Sequence, residues 1–229
     1  KKQGLHYFFI YTIINTNMEI KQFIFNPIQE NTYIIWDEET KEGAIVDCGA
    51  LFEEEKRRIS EFITDKGIKI KYLMNTHMHF DHCFGNHWAA ETYDVKLMAH
   101  KGDSGIAAGL QNQIKMFGLP FEVEVEPIGI FLDESSELSL GKERIKVIET
   151  PGHSQGGICF YMAQSGILLS GDTLFEGSIG RTDLEGGSYS TLIKSIKDKL
   201  IILPDSTRVY CGHGSYTTIG DEKKYNPYI

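Results

Sequence analysis

The sequence predicts a layered α/β (α+β) domain in which sheets are covered by helices. Short apolar runs with strand-like alternation come first, as a meander between Met18 and Asp47. From Phe52 onward such runs alternate with amphipathic segments of helical period, the pattern of sheets packed under helices. No linker, low-complexity tract or repeat divides the 229 residues, so one domain is expected over residues 18–229.

Met18 to Phe25, Asn31 to Trp36 and Gly43 to Asp47 read as strands, separated by Asn-Pro and acidic turns. Phe52 to Lys66 places Phe52, Ile59, Phe62, Ile63 and Lys66 at helical spacing, and Gly67 is its expected stop. Ile68 to Met74 follows as an apolar strand, Gly85 to Thr92 as a helix and Val95 to Ala99 as a strand. Lys101 to Pro120 mixes helix and loop with little periodicity. Arg144 to Glu149, Gly157 to Met162 and Gly166 to Leu169 read as consecutive strands. Ser188 to Leu200 is a second amphipathic helix, with Leu192, Ile196, Lys199 and Leu200 on one side. Arg208 to Cys211 is the last strand expected, and a short helix follows from Asp221.

Residues 1–17 stand apart. Lys1-Lys2 and the apolar stretch from Tyr7 to Ile14 resemble a signal-peptide core. The stretch is too short to span a bilayer, and no small-x-small cleavage site follows it. An N-terminal extension is the expected reading, with no membrane partner. The net charge of −9 argues against nucleic acid, whose phosphates need a basic footprint that this chain lacks. Cys48, Cys83, Cys159 and Cys211 lie far apart without a CxxC pair, so reduced thiols and a cytoplasmic setting are expected. Cys83 and Cys211 flank candidate ligands but read as buried packing residues.

The chemistry concentrates in Thr76-His77-Met78-His79-Phe80-Asp81-His82, directly after an apolar strand. Imidazole nitrogen and carboxylate oxygen are the usual ligands of zinc and related ions. Desolvating so many polar side chains costs several kcal/mol unless a bound ion offsets it. Three further ligand-type residues sit just past strands and beside glycines: His153 in Pro151-Gly152-His153, Asp172 in Gly171-Asp172-Thr173 and His213 in Gly212-His213-Gly214. Strand ends gathered on one sheet edge are where sites usually form.

His77-x-His79-x-Asp81-His82, followed in order by His153, Asp172 and His213, resembles the metallo-β-lactamase superfamily, over essentially all of residues 18–229. The resemblance implies the αββα sandwich, two mixed sheets face to face with helices outside, and a dinuclear site on one edge. It places His77, His79 and His153 on one metal and Asp81, His82 and His213 on the other, with Asp172 bridging. Two divalent metal ions are implied, zinc expected, with iron or manganese suited to the same donors. In that scheme metal-bound hydroxide attacks, and Asp81 and Asp172 hold and orient it as catalytic residues.

Within the superfamily, Asp172 stands where the common zinc β-lactamases carry cysteine. Gly171-Asp172-Thr173-Leu174-Phe175, Gly180-Arg181-Thr182-Asp183, Gly186-Gly187-Ser188 and the tail from Gly212 to Lys223 resemble the short glyoxalase II-like hydrolases. That resemblance implies hydrolysis of a small-molecule thioester of the S-lactoylglutathione type. Full-length glyoxalase II adds a C-terminal helical domain that grips the glutathione carboxylates, whereas this chain ends soon after His213, at Ile229. Arg181 is the candidate substitute anchor, against a buried ion pair with Asp183. The Gly-Arg-Thr-Asp segment is also similar to persulfide dioxygenases, which use a single iron. A metal-stabilised binding module is the non-enzymatic alternative, though structural zinc sites are usually Cys-rich. Asp47 is the candidate acceptor for a ligand imidazole N–H, with Thr76, Ser154 and Thr173 as hydrogen-bonding neighbours. His6, His87 and His100 fall outside the motif.

Overall fold

The computed structural model describes residues 17–229, and the signal-like segment lies outside the described residues. The chain forms β1 (Met18–Phe25), β2 (Glu30–Asp37), β3 (Glu42–Val46), α1 (Glu53–Lys66), β4 (Lys69–Met74), α2 (Asn86–Tyr93) and β5 (Leu97–His100). Then come α3 (Ser104–Ala108), α4 (Leu110–Met116), β6 (Ile130–Leu132), β7 (Leu138–Leu140), β8 (Glu143–Glu149), β9 (Ile158–Met162) and β10 (Ile167–Gly171). A small hairpin β11 (Leu174–Phe175) and β12 (Ser178–Ile179), α5 (Tyr189–Ser195), β13 (Arg208–Cys211), β14 (Thr217–Thr218) and α6 (Ile219–Tyr225) complete it.

Two six-stranded sheets result, in the orders β1-β2-β3-β4-β5-β6 and β14-β13-β10-β9-β8-β7. Both are mixed: β3, β4, β5 and β6 run parallel, as do β10 and β13, while the other pairs are antiparallel. Strand alternation sorts the side chains into layers. In β2, Tyr33 and Ile35 face the second sheet, where they join Val46, Met74, Val147, Phe160 and Leu169. Ile34 and Trp36 face the other way, onto Ile59 and Ile63 of α1 and Ile114 of α4. On the far side, Tyr161, Leu168 and Val209 pack under Leu192 and Ile196. Helix, sheet, sheet, helix is therefore the stacking order, and the αββα sandwich expected from the sequence is present.

Some details differ from the sequence reading. Phe52 does not join the buried face of α1; it is 46% exposed, because it is the N-cap residue just before the helix. Gly67 ends that helix as expected, in the left-handed region at φ 66°. The helix from Ser188 is α-helical only to Ser195 and closes with a π-turn over Ile196–Leu200. Arg208–Cys211 is not the last strand, because β14 pairs with its outer edge, and the terminal helix begins at Ile219. β6, β7, β11, β12 and β14 are two or three residues long, too short to show a period in sequence. The four cysteines are unpaired and buried. No helix among the described residues is long and apolar enough to cross a membrane.

Candidate metal centre

The two sheets are stitched together at one end, and the ligand-type residues gather there. The Ile158 amide donates to the Thr76 carbonyl at 2.8 Å, and the Asn31 amide to the Gly212 carbonyl at 2.8 Å. These bonds bring the ends of β4, β8, β10 and β13 to one rim. His77 to His82 leave β4 in a short 3-10 turn, Phe80–His82. His153 lies in the turn after β8, Asp172 follows β10 and His213 follows β13. Two glycines make the approach possible. A Cβ on Gly212 would overlap the Asp172 carboxylate. Gly171 sits at φ 49° against the Thr76 hydroxyl, which leaves no room for a side chain.

All seven candidate residues converge. His77, His79 and His153 form one group of ligand atoms within 4.8 Å of one another, and Asp81, His82 and His213 form a second. Asp172 lies between them: its Oδ2 is 3.6 Å from His153 Nε2 and 3.7 Å from His213 Nε2, and its Oδ1 is 3.5 Å from His82 Nε2. Asp81 Oδ2 reaches His213 Nε2 at 3.2 Å. Cys83 and Cys211 join neither group.

Hydrogen bonds from behind fix which ring nitrogen faces the centre. A carbonyl oxygen can only accept, so His153 Nδ1 carries its proton to the Arg181 carbonyl at 2.7 Å, and His213 Nδ1 to that of Gln29 at 3.2 Å. Asp47 orients two more. The Thr76 hydroxyl donates to Asp47 Oδ2 at 2.7 Å and so accepts from His77 Nδ1 at 3.1 Å. His82 Nδ1 lies 3.2 Å from the same Oδ2. Asp47 forms a third ligand-like group with His77 and His82, but these contacts make it an orienting carboxylate at a backbone φ of 53°. The Nε2 lone pairs of His77, His153 and His213 are thereby turned inward. His79 Nδ1 meets His153 Nε2 at 2.9 Å, a spacing that needs a proton or a cation between the rings.

The electrostatics agree with the geometry. Burial, reinforced by the neighbouring imidazoles of His82 and His153, pulls His77 well below the ordinary histidine range. Burial and His153 bring His79 down to about 4. Burial opposes charge on His82, but Asp81 and Asp172 outweigh it and hold His82 well above its usual range. Against the same burial, His82 keeps Asp172 and Asp81 ionised, both below the usual carboxylate range. His77 Nε2, both ring nitrogens of His82 and Asp172 Oδ1 are buried without a hydrogen-bond partner. Orphaned buried polar atoms are costly, and the imidazoles of His77 and His79, kept from protonating, beside ionised carboxylates are what divalent cations bind. The donor set fits a pair of metal ions.

Comparison with known proteins gives the family. The family model described as the metallo-beta-lactamase superfamily matches residues 25–213. The chain belongs to the metallo-β-lactamase superfamily. Among superfamily relatives, the hydroxyacylglutathione hydrolase GloC of Haemophilus influenzae is 36% identical over 213 residues, covering 93% of this chain and 98% of that protein. The crystal structure of BLEG-1, a B3 metallo-beta-lactamase, superposes with a TM-score of 0.83 at 32% identity, covering 92% of this chain and 99% of the other. That of TTHA1623 in a di-iron-bound form gives 0.80 at 32%, covering 91% and 100%.

Two residues in this neighbourhood escaped the sequence reading. Asp103, fully buried, accepts from the Met78 amide at 3.0 Å, the Ser154 hydroxyl at 2.9 Å and the Gly156 amide at 2.6 Å. It ties the turn bearing His77 and His79 to the turn bearing His153. Glu30 is a fully buried acid 3.9 Å behind His82 Nδ1, and burial pushes its carboxyl well above the usual range. An isolated Asp in a Lys-Gly-Asp turn, or a Glu opening a strand, gives no local signal of either role. Arg181 needs correction. Its guanidinium binds Asp183 through two 2.8 Å hydrogen bonds, which a substrate carboxylate would have to displace. The pair is exposed rather than buried, because both side chains lie on the outer loop. Ser154 supports Asp103, and Thr173 bonds Thr150 at 3.0 Å.

Proposed function

We propose that the chain is a dinuclear metal-dependent hydrolase of small-molecule thioesters, of the glyoxalase II-like kind. The observation that carries this is Asp172 standing between two groups of inward-facing donors, with orphaned buried atoms on both sides. His77, His79 and His153 would hold one cation, and Asp81, His82 and His213 the second, with Asp172 shared. Bound cations would supply hydroxide near neutral pH and polarise the substrate carbonyl. The chain's own residues set the conditions for that chemistry. Asp47, Gln29 and the Arg181 carbonyl keep the ring tautomers productive, and the carboxylates of Asp81 and Asp172 would accept hydrogen bonds from a nucleophilic water. Thiolate is a good leaving group, so a thioester needs no separate general acid.

The name of the Haemophilus relative supports the thioester reading at 36% identity, and that protein has nearly the extent of this chain. The likeness to BLEG-1 favours a second reading, β-lactam hydrolysis, in which a leaving amide nitrogen needs a proton. The test is metal analysis of purified protein, with assays of S-lactoylglutathione hydrolysis, a chromogenic cephalosporin and oxygen uptake on glutathione persulfide. About two metals per chain with thioester turnover is the expected result. A single iron with oxygen uptake would overturn it in favour of a dioxygenase.

A further inference from the structure

Beside His79 a cavity of about 320 Å³ opens under α3 and α4. Ile106, Met116, Phe117 and Leu184 supply its apolar wall. Met116 is 72% exposed and Phe117 42% exposed, large apolar side chains held at the surface where a ligand would cover them. Phe117 is braced from behind by Phe80, ring centroids 4.9 Å apart, next to the ligand Asp81. No lysine or arginine lines the cavity; apart from His79, its ionisable side chain is Glu185. Arg181 is not among the lining residues, and its guanidinium pairs with Asp183 at the surface.

We propose that this cavity receives an uncharged, mainly apolar arm of the substrate, so that the preferred thioesters are neutral ones and not those of glutathione. The proposal rests on the thioester-hydrolase reading and names the substrate class within it. Two physical points carry it. Glutathione brings two carboxylates, and the lining offers no lysine or arginine to pair with them. Size is the second point: at about 30 Å³ per water-sized group, the cavity holds roughly ten such groups. A lactoyl group has three non-hydrogen atoms beyond its carbonyl and would leave most of that space to water. An apolar arm of octanoyl or phenylacetyl size, with seven carbons beyond the carbonyl, fills about two-thirds of it.

Gly105 in α3 provides the probe. It lines the cavity, and a Cβ there would meet open space. Gly105→Phe therefore starts a ring into the cavity from a Cβ that meets no neighbour, and removes a helical glycine. The experiment compares kcat/KM of the metal-loaded enzyme for S-octanoyl- and S-acetyl-N-acetylcysteamine and S-lactoylglutathione. It adds calorimetric binding of the non-hydrolysable amide isostere of the octanoyl substrate. The octanoyl thioester is expected to exceed S-lactoylglutathione at least tenfold. Gly105→Phe should lower the octanoyl-to-acetyl ratio at least tenfold and abolish isostere binding. S-lactoylglutathione preferred over the octanoyl thioester, or an unchanged ratio in Gly105→Phe, would overturn the proposal. Isostere binding without turnover of any thioester would instead sink the hydrolase reading and leave the cavity assignment standing.

Discussion

The imidazole of His153 and the backbone of Arg181 meet at 2.7 Å, Nδ1 donating to the carbonyl oxygen. The Gly-Arg-Thr-Asp segment thus acts on the metal centre through its main chain. Arg181→Ala should keep its metal and change kcat/KM by about twofold or less, as for an exposed side chain. Gly180→Ala should behave differently, since its Cβ would overlap the Asp172 carbonyl and crowd His153. Displacing a reacting group by even 1 Å can cost about a hundredfold in rate. Metal content and steady-state kinetics of both variants check this, and equal losses would contradict it.

Asp103 joins two ligand-bearing turns without touching the centre. Asp103→Ala would orphan three buried donors, each costing about 1–3 kcal/mol. A loss of roughly 3 kcal/mol or more is expected in denaturant unfolding, together with weaker metal binding. Asp103→Asn keeps one acceptor and should fall between that variant and the parent.

Asp47→Asn preserves shape while removing the charge that orients His77 through Thr76, and His82 directly. Metal affinity should weaken by about 10- to 100-fold with the fold retained, as for other groups behind metal-bound histidines. Competition against a chromophoric chelator measures it, and parental affinity in a folded variant would remove Asp47 from the role.

Asp172→Ala leaves two donor groups with nothing between them. Metal content should fall from about two per chain to about one or fewer, with loss of most turnover. A variant with parental stoichiometry and rate would show that Asp172 does not bridge.

Metal affinity should depend on pH with a definite sign. Burial works against charge on His82 and His213, but Asp81 and Asp172 overcome it and hold both histidines above the ordinary range. A cation must displace those protons even near neutrality. As pH falls, more protons compete, so affinity weakens by about tenfold per pH unit for each proton displaced. Zinc titrations at several pH values, with proton release followed in weak buffer, check the slope. A flat profile would contradict the assignment.

The ligand order was legible in the sequence because each motif is local. His77 to His82 share one turn, and His153, Asp172 and His213 each stand beside a glycine just past an apolar strand. The long strands and α1 were legible for the same reason, since their periods repeat over enough residues to register. β6, β7 and β14 were not, being edge segments recruited by neighbours rather than by their own pattern.

The sequence by itself determined the superfamily, the seven candidate ligands and the order of the layers. Only the tertiary structure decided which nitrogen each histidine presents, because that depends on partners distant in the chain, such as Asp47 and Thr76, 29 residues apart. It also decided that Asp103 clamps Ser154 across 51 residues, that Arg181 pairs with Asp183, and that no lysine or arginine lines the cavity beside His79. Donor chemistry is a property of residue types and survives in one dimension. Orientation, desolvation and the charge of a pocket wall are properties of packing, set when segments remote in sequence exclude water from one another.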